Sequence, residues 1–86
     1  MSWSVEISPA ARRSLKRLPE KVRDAVLAFV HGPLTQDPHR VGTPLERQLA
    51  GLHSARRGSY RVVYRIVDER VLVQVVTVGP RSDVYR

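Results

Sequence analysis

The sequence predicts an α+β fold: a small antiparallel sheet with an N-terminal α-helical hairpin packed on one face, in the order β-α-α-β-β-β. Three observations predict it. Apolar and polar side chains alternate over residues 3–7, apolar residues recur at helical spacing between residues 9 and 30, and period two returns from residue 52 to residue 78, broken only by short turn sequences.

Trp3, Val5 and Ile7 alternate with Ser4, Glu6 and Ser8, the pattern of a short strand with one buried face. Ser8-Pro9 then opens a helix. Serine is a good N-cap, and proline suits the first helical position because its missing N–H has no intrahelical partner there. This helix runs through Arg17. Leu15 and Leu18 form its apolar edge, while Arg12, Arg13, Lys16 and Arg17 make the rest basic. Leu18-Pro19 restarts the helix, with Glu20 placed favourably on the N-terminal dipole. Val22, Val26, Phe29 and Val30 continue at helical spacing until Gly32-Pro33 weakens it.

Residues 35–47 hold Pro38, Gly42 and Pro44 among polar residues and read as a loop, pinned by Leu45, Leu49 and Leu52. Residues 52–57 are a strand, Gly58-Ser59 a turn, and residues 60–67 the clearest strand of the chain. There Tyr60, Val62, Tyr64 and Ile66 share one face, and Arg61, Val63, Arg65 and Val67 share the other. After a turn at residues 68–70, residues 71–78 form a β-branched strand that Gly79-Pro80 ends, leaving a polar tail from Arg81. Short turns make these strands antiparallel neighbours. With Tyr64 and its companions under the helices, Arg61 and Arg65 point to the uncovered face; a slip of one residue would exchange the faces.

The 86 residues suit one domain, residues 1–86, with one modest core, which excludes an enzyme with a separate cofactor domain. Hydrophobic content of 42% with 27% charged residues argues against disorder. Fifteen Lys and Arg against eight Asp and Glu leave a net charge of +7, and only Lys16 and Lys21 of the fifteen are lysine. Arginine's planar fork matches phosphate and carboxylate, so the balance points to an anionic partner. There is no cysteine, which excludes disulfides, zinc thiolates and a cysteine nucleophile. The apolar run at residues 25–30 is far short of the ~18 residues that cross a bilayer, and the first residues lack a signal-peptide pattern. A soluble cytoplasmic protein with no membrane partner is expected. His31, His39 and His53 are dispersed, and no phosphate loop, nucleophile elbow or carboxylate cluster is present, so neither metal nor cofactor is expected.

The chemistry-bearing feature is a set of cations on strand sequence: Arg56, Arg57, Arg61, Arg65 and Arg81. Paired strands bring such residues within reach of one another. Like charges facing each other cost stability, so a cluster implies an anion between them. A solvated sheet face is the alternative.

Residues 51–66, GLHSARRGSYRVVYRI, resemble the signature of the RelE/ParE toxin superfamily, and residues 78–85, VGPRSDVY, resemble its C-terminal motif. Leu18-Pro19-Glu20-Lys21-Val22 looks like its helical-hairpin turn. The similarity looks closest to the RelE branch. It implies a ribosome-dependent, metal-independent mRNA endonuclease that cuts message in the A site of the 70S ribosome and leaves a 2′,3′-cyclic phosphate. It also implies a small acidic RelB-like antitoxin that neutralises the toxin, with operator DNA bound only through the complex of the two. By the resemblance Arg61 and Arg81 are phosphate ligands and Tyr85 orients the attacking hydroxyl or stacks near the cut base; Arg56, Arg57 and Arg65 bind RNA. Where active RelE members carry lysines, this chain has Leu52 and Ser54. His53, which titrates near neutrality, is the substitute base, and Glu46 the second candidate. Two other readings stand beside this one: a ParE-type DNA gyrase poison, motivated by the missing lysines, and a catalytically weak toxin acting as an antitoxin-binding co-repressor.

Overall fold

The computed structural model describes residues 2–80. Strand β1 (Ser4–Ile7) leads into helix α1 (Pro9–Arg17), helix α2 (Glu20–His31) and two single-turn helices, α3 (Pro33–Gln36) and α4 (Pro38–Val41). Then come β2 (Thr43–Pro44), a 3-10 turn (Arg47–Leu49), β3 (His53–Arg57), β4 (Tyr60–Val67), a second 3-10 turn (Asp68–Arg70) and β5 (Leu72–Pro80). This is the expected α+β arrangement, with the five strands ordered β1-β5-β4-β3-β2.

The helix starts follow from capping. Ser8 Oγ accepts the Ala11 amide at 3.0 Å and donates its own proton to Val76 O at 2.7 Å. One hydroxyl thereby caps α1 and fastens it to β5. Ala11 and Leu15 face inward from α1, and Val26, Phe29 and Val30 from α2. They meet Ala55, Val62, Tyr64, Val73, Val75 and Val78 from the sheet in one core. The helical hairpin therefore covers one face, as the patterning of β4 required.

Four details depart from the sequence reading. First, β1 joins the sheet parallel to β5, Ser4 opposite Leu72 and Ile7 opposite Val75, while the other pairings are antiparallel. The crossover through both helices reverses the chain direction that a hairpin would impose. Second, the loop of residues 35–47 is partly ordered as α3, α4 and β2, with Leu34, Thr35 and Pro38 buried. Proline begins each of these short helices at a position where its missing N–H costs nothing. Third, β5 continues through Gly79-Pro80 instead of ending before it, because Tyr60 of the edge-forming hairpin still pairs with Pro80. Fourth, Val71 is the left-handed end of the turn (φ 48°, ψ 51°) and not the first strand residue.

The β4–β5 register shifts between Val63, opposite Thr77, and Tyr64, opposite Val75. Val76 is the extra residue. The bulge lets Val75 and Val78, three positions apart, both reach the core, which unbroken alternation would forbid.

Candidate functional site

Strand β4 places Val62 and Tyr64, both 0% exposed, on the helix side, so Arg61 and Arg65 project from the opposite face. The register then decides which cations meet. Arg56 of β3 lies directly opposite Arg61, and Gly79 of β5 flanks Arg61 on its other side. Arg61 is half-buried, and its Nη1 donates to Ser54 Oγ at 3.4 Å. Ser54 is itself 4% exposed, on the same strand face as Arg56. A recess of about 220 Å³ is lined by Arg56, Gly58, Ser59, Tyr60 and Arg61. Arg56 and Arg61 thus bring two like charges to neighbouring positions on one antiparallel pair, an arrangement that an anion between them would relieve.

Arg65 shares this face two residues further along, opposite Gln74, and is exposed. Among the described residues neither Arg56 nor Arg65 forms an ion pair; the pairs present are His39–Asp68 at 2.7 Å and Arg70–Glu6 at 3.8 Å. Ser54 was singled out in the sequence only as a missing lysine. Its role as the acceptor beside Arg61 could have been read from its spacing two residues before Arg56 on a period-two strand.

The structure does not bring His53 or Arg57 to this face. Arg57 pairs with Tyr60 on the helix side, and its guanidinium carbon sits 5.7 Å from the centroid of the Phe29 ring. Its charge lies over the core edge, where a cation–aromatic contact holds it. His53 pairs with Tyr64, also on the helix side, and stacks on that ring at 5.5 Å. Strand alternation separates it from Arg61 by the thickness of the sheet, which corrects the expectation that it stands beside the bound phosphate. Burial, then the neighbouring His39, pull its pKa below the ordinary histidine value, and Asp68 only partly opposes them. Glu46 is exposed, just before the first 3-10 turn. Arg81 and Tyr85 lie outside the described residues. Among those described, no group of three His, Asp or Glu side chains is placed to hold a metal ion, and no helix is long and apolar enough to cross a membrane.

Comparison with known proteins identifies the family. A family model described as the ParE toxin of type II toxin-antitoxin systems matches residues 5–85. Two curated proteins of Mycobacterium tuberculosis are similar along almost the whole chain. Toxin RelE is 51% identical over 84 residues, covering 98% of this chain and 87% of that protein, and Toxin RelG is 48% identical over 86 residues, covering 100% and 99%. The toxin-antitoxin complex RelBE2 of the same organism contains a chain with a TM-score of 0.91 and 46% identity, covering 94% of this chain and 100% of that one. The isolated RelE toxin of E. coli, at 22% identity and a TM-score of 0.77, shares the fold over 98% of this chain and 92% of its own. The chain belongs to the RelE/ParE toxin superfamily and is a RelE-family toxin of a type II toxin-antitoxin system.

Proposed function

We propose that this toxin is a ribosome-dependent, metal-independent endonuclease that cleaves mRNA in the A site and so inhibits translation. The observation that carries the reading is the Arg56–Arg61 pair on the face of the sheet opposite the helices, with Gly79 beside it. In the reaction the 2′-oxygen bonds to phosphorus and the bond to the 5′-oxygen breaks. The products are a 2′,3′-cyclic phosphate and a 5′-hydroxyl; the proton leaves the attacking hydroxyl and one returns to the departing oxygen. Charge builds on the phosphate oxygens along this path, and fixed guanidinium groups stabilise it. Arg61 and Arg81 take that role, and Tyr85 orients the hydroxyl or stacks on a base. Arg56 and Arg65 hold the strand on either side. His53 lies on the other face of the sheet and has no part in the step; with Leu52 and Ser54 at the lysine places, solvent water takes the proton from the 2′-hydroxyl and returns one to the departing 5′-oxygen.

A RelB-like acidic antitoxin is the proposed partner, supported by the similarity to the chain in the RelBE2 complex. The positive surface would speed its association and make it sensitive to salt. Operator DNA is reached only through that complex.

The test is expression of the parent beside Arg61→Ala and Arg81→Ala, with primer extension on translated and untranslated message. The parent should arrest growth and cut only translated message, and each variant should lose about a hundredfold or more of the cleavage rate, the usual cost of one oxyanion ligand. Equal arrest and equal cleavage in all three would remove the assignment. The ParE description of the matching family model favours a second reading, gyrase poisoning; an SOS response with intact message would select it.

A further inference from the structure

The run Arg56-Arg57-Gly58-Ser59 places arginines three and two residues before a serine. An arginine-directed serine kinase reads that spacing, because its acidic pockets take the two cations while the hydroxyl reaches the transferring phosphate. The fold presents this serine. Gly58 and Ser59 form the turn between β3 and β4, beyond the last register pair, Arg57 opposite Tyr60. Gly58 stands at φ 62°, the positive value that a type II′ hairpin needs at its first central residue. A β-carbon there would meet nothing within 4 Å, so the turn projects into open space. Arg56, Arg57 and Ser59 are all exposed. Other serines lack this combination. Ser54 is buried, Ser8 is held as the cap of α1, and Ser14 lies inside α1 with Ala11 where the more distant arginine would stand.

Ser59 also lines the recess of about 220 Å³ that it shares with Arg56, Gly58, Tyr60 and Arg61. One water fills about 30 Å³ of liquid, so a phosphoryl group has room there. Arg56 and Arg61 face each other across the strands, and a dianion between them relieves their repulsion. On its other side the turn borders a groove lined by Lys21, Val22, Ala25, Val26 and Arg57. That side suits a dianion less, because valine and alanine line it and Arg57 lies over the Phe29 ring.

We propose that Ser59 is a phosphorylation site for an arginine-directed serine kinase, and that its phosphate turns into the Arg56–Arg61 recess and closes it to RNA. In the transfer, Ser59 Oγ bonds to the terminal phosphorus of a nucleoside triphosphate and the bond from that phosphorus to the bridging oxygen breaks. The hydroxyl proton passes to a base of the kinase, and the nucleoside diphosphate leaves. The product carries a charge of about −1.5 to −2 at pH 7 and three acceptor oxygens. Its short tether holds it beside the arginines at a concentration on the order of millimolar or more, where it competes with an incoming RNA phosphate. That RNA is what it excludes rests on the reading above; the modification and the docking of the phosphate do not.

The test treats the full chain with magnesium ATP and the catalytic subunit of cyclic-AMP-dependent protein kinase, and locates the phosphate by peptide mass mapping. The parent should take up phosphate on Ser59, and Ser59→Ala should take up none. No uptake by the parent, or uptake chiefly on Ser14, would overturn the proposal. Phosphorus NMR then follows the phosphate with pH. Beside two guanidinium groups it should lose its last proton below the usual value of about 6. In phosphorylated Arg61→Gln, whose kinase motif is intact, the midpoint should return toward about 6. A midpoint at or above about 6 in the parent, or one that Arg61→Gln leaves unmoved, would overturn the docking. Circular dichroism checks that Arg61→Gln folds; if it does not, the parent's midpoint decides. Cleavage of translated message, scored before and after phosphorylation, should fall about tenfold or more. A parent that never cleaves, with the NMR shift intact, removes the endonuclease reading alone. Equal cleavage by both forms removes this inference alone.

Discussion

The imidazole of His53 lies on the phenol ring of Tyr64, ring centroids 5.5 Å apart and planes 21° apart. The two residues are register partners on β3 and β4, under the helices and away from the arginine face. The ring contacts continue edge-on to His39, 6.4 Å from His53, and from His39 to Trp3 at 5.6 Å. Among the described residues, His53 Nδ1 is buried with no hydrogen-bond partner. This histidine packs on the helix side of the sheet, where its neutral form is favoured.

Its pKa is lowered from 6.5, by burial first and then by the neighbouring His39. Below about pH 6.5 the unfolded chain therefore binds a proton that the folded chain resists. The stability contributed by neutral His53 is complete above that pH and is lost as the pH falls through the folded-state value. Thermal melts between about pH 7 and pH 5 should show a falling midpoint in the parent and a flatter profile in His53→Gln. Parallel profiles would remove His53 as the cause.

Tyr64 titrates the other way. Burial, then Asp37, raise its pKa from 10.0 to about 12. The neutral phenol's contribution is present below pH 10 and is lost as the pH climbs through about 12. Its hydroxyl donates to Pro38 O at 2.7 Å, tying α4 to the sheet. Tyr64→Phe leaves that carbonyl without its donor and should cost about 1–3 kcal/mol in urea unfolding. The steep loss above pH 10 should vanish with it.

Gly42 is where the chain passes over that hydroxyl. A β-carbon at this position would collide with Tyr64 Oη and come within 3.0 Å of Ser54 O. Gly42→Ala should destabilise by about 1–3 kcal/mol, and combining it with Tyr64→Phe should recover part of the loss. Strict additivity in a double-mutant cycle would mean that the two do not touch.

Val71 sits at φ 48°, in the left-handed region that β-branched side chains rarely adopt, and is 45% exposed. Val71→Asn keeps the Asp68–Val71 turn hydrogen bond and relieves the strain. A gain of about 1 kcal/mol is expected, read as a rise in melting temperature.

The Arg56–Arg61 pair should trade stability for binding. Arg56→Ala removes a like charge directly opposite Arg61, so the folded toxin should gain about 0.2–1 kcal/mol while its affinity for single-stranded RNA falls. A variant that loses on both counts would show that Arg56 supports the fold instead.

Period two in residues 60–67 and helical spacing in residues 22–30 were enough, without coordinates, to place Val62, Tyr64, Phe29 and Val30 in one core and to turn Arg61 and Arg65 outward. Such patterns reflect solvent acting residue by residue, so the order of side chains carries them. Which residues stand across from one another is a property of pairing between distant segments. Only the folded sheet put Arg56 against Arg61, sent His53 and Arg57 to the helix side, and made β1 parallel to β5. The same holds for the extra residue at Val76, whose cost is met by a hydroxyl sixty-eight residues away in the chain, on Ser8. Local preference cannot encode such choices, because each is settled by the competition of whole registers for one shared core.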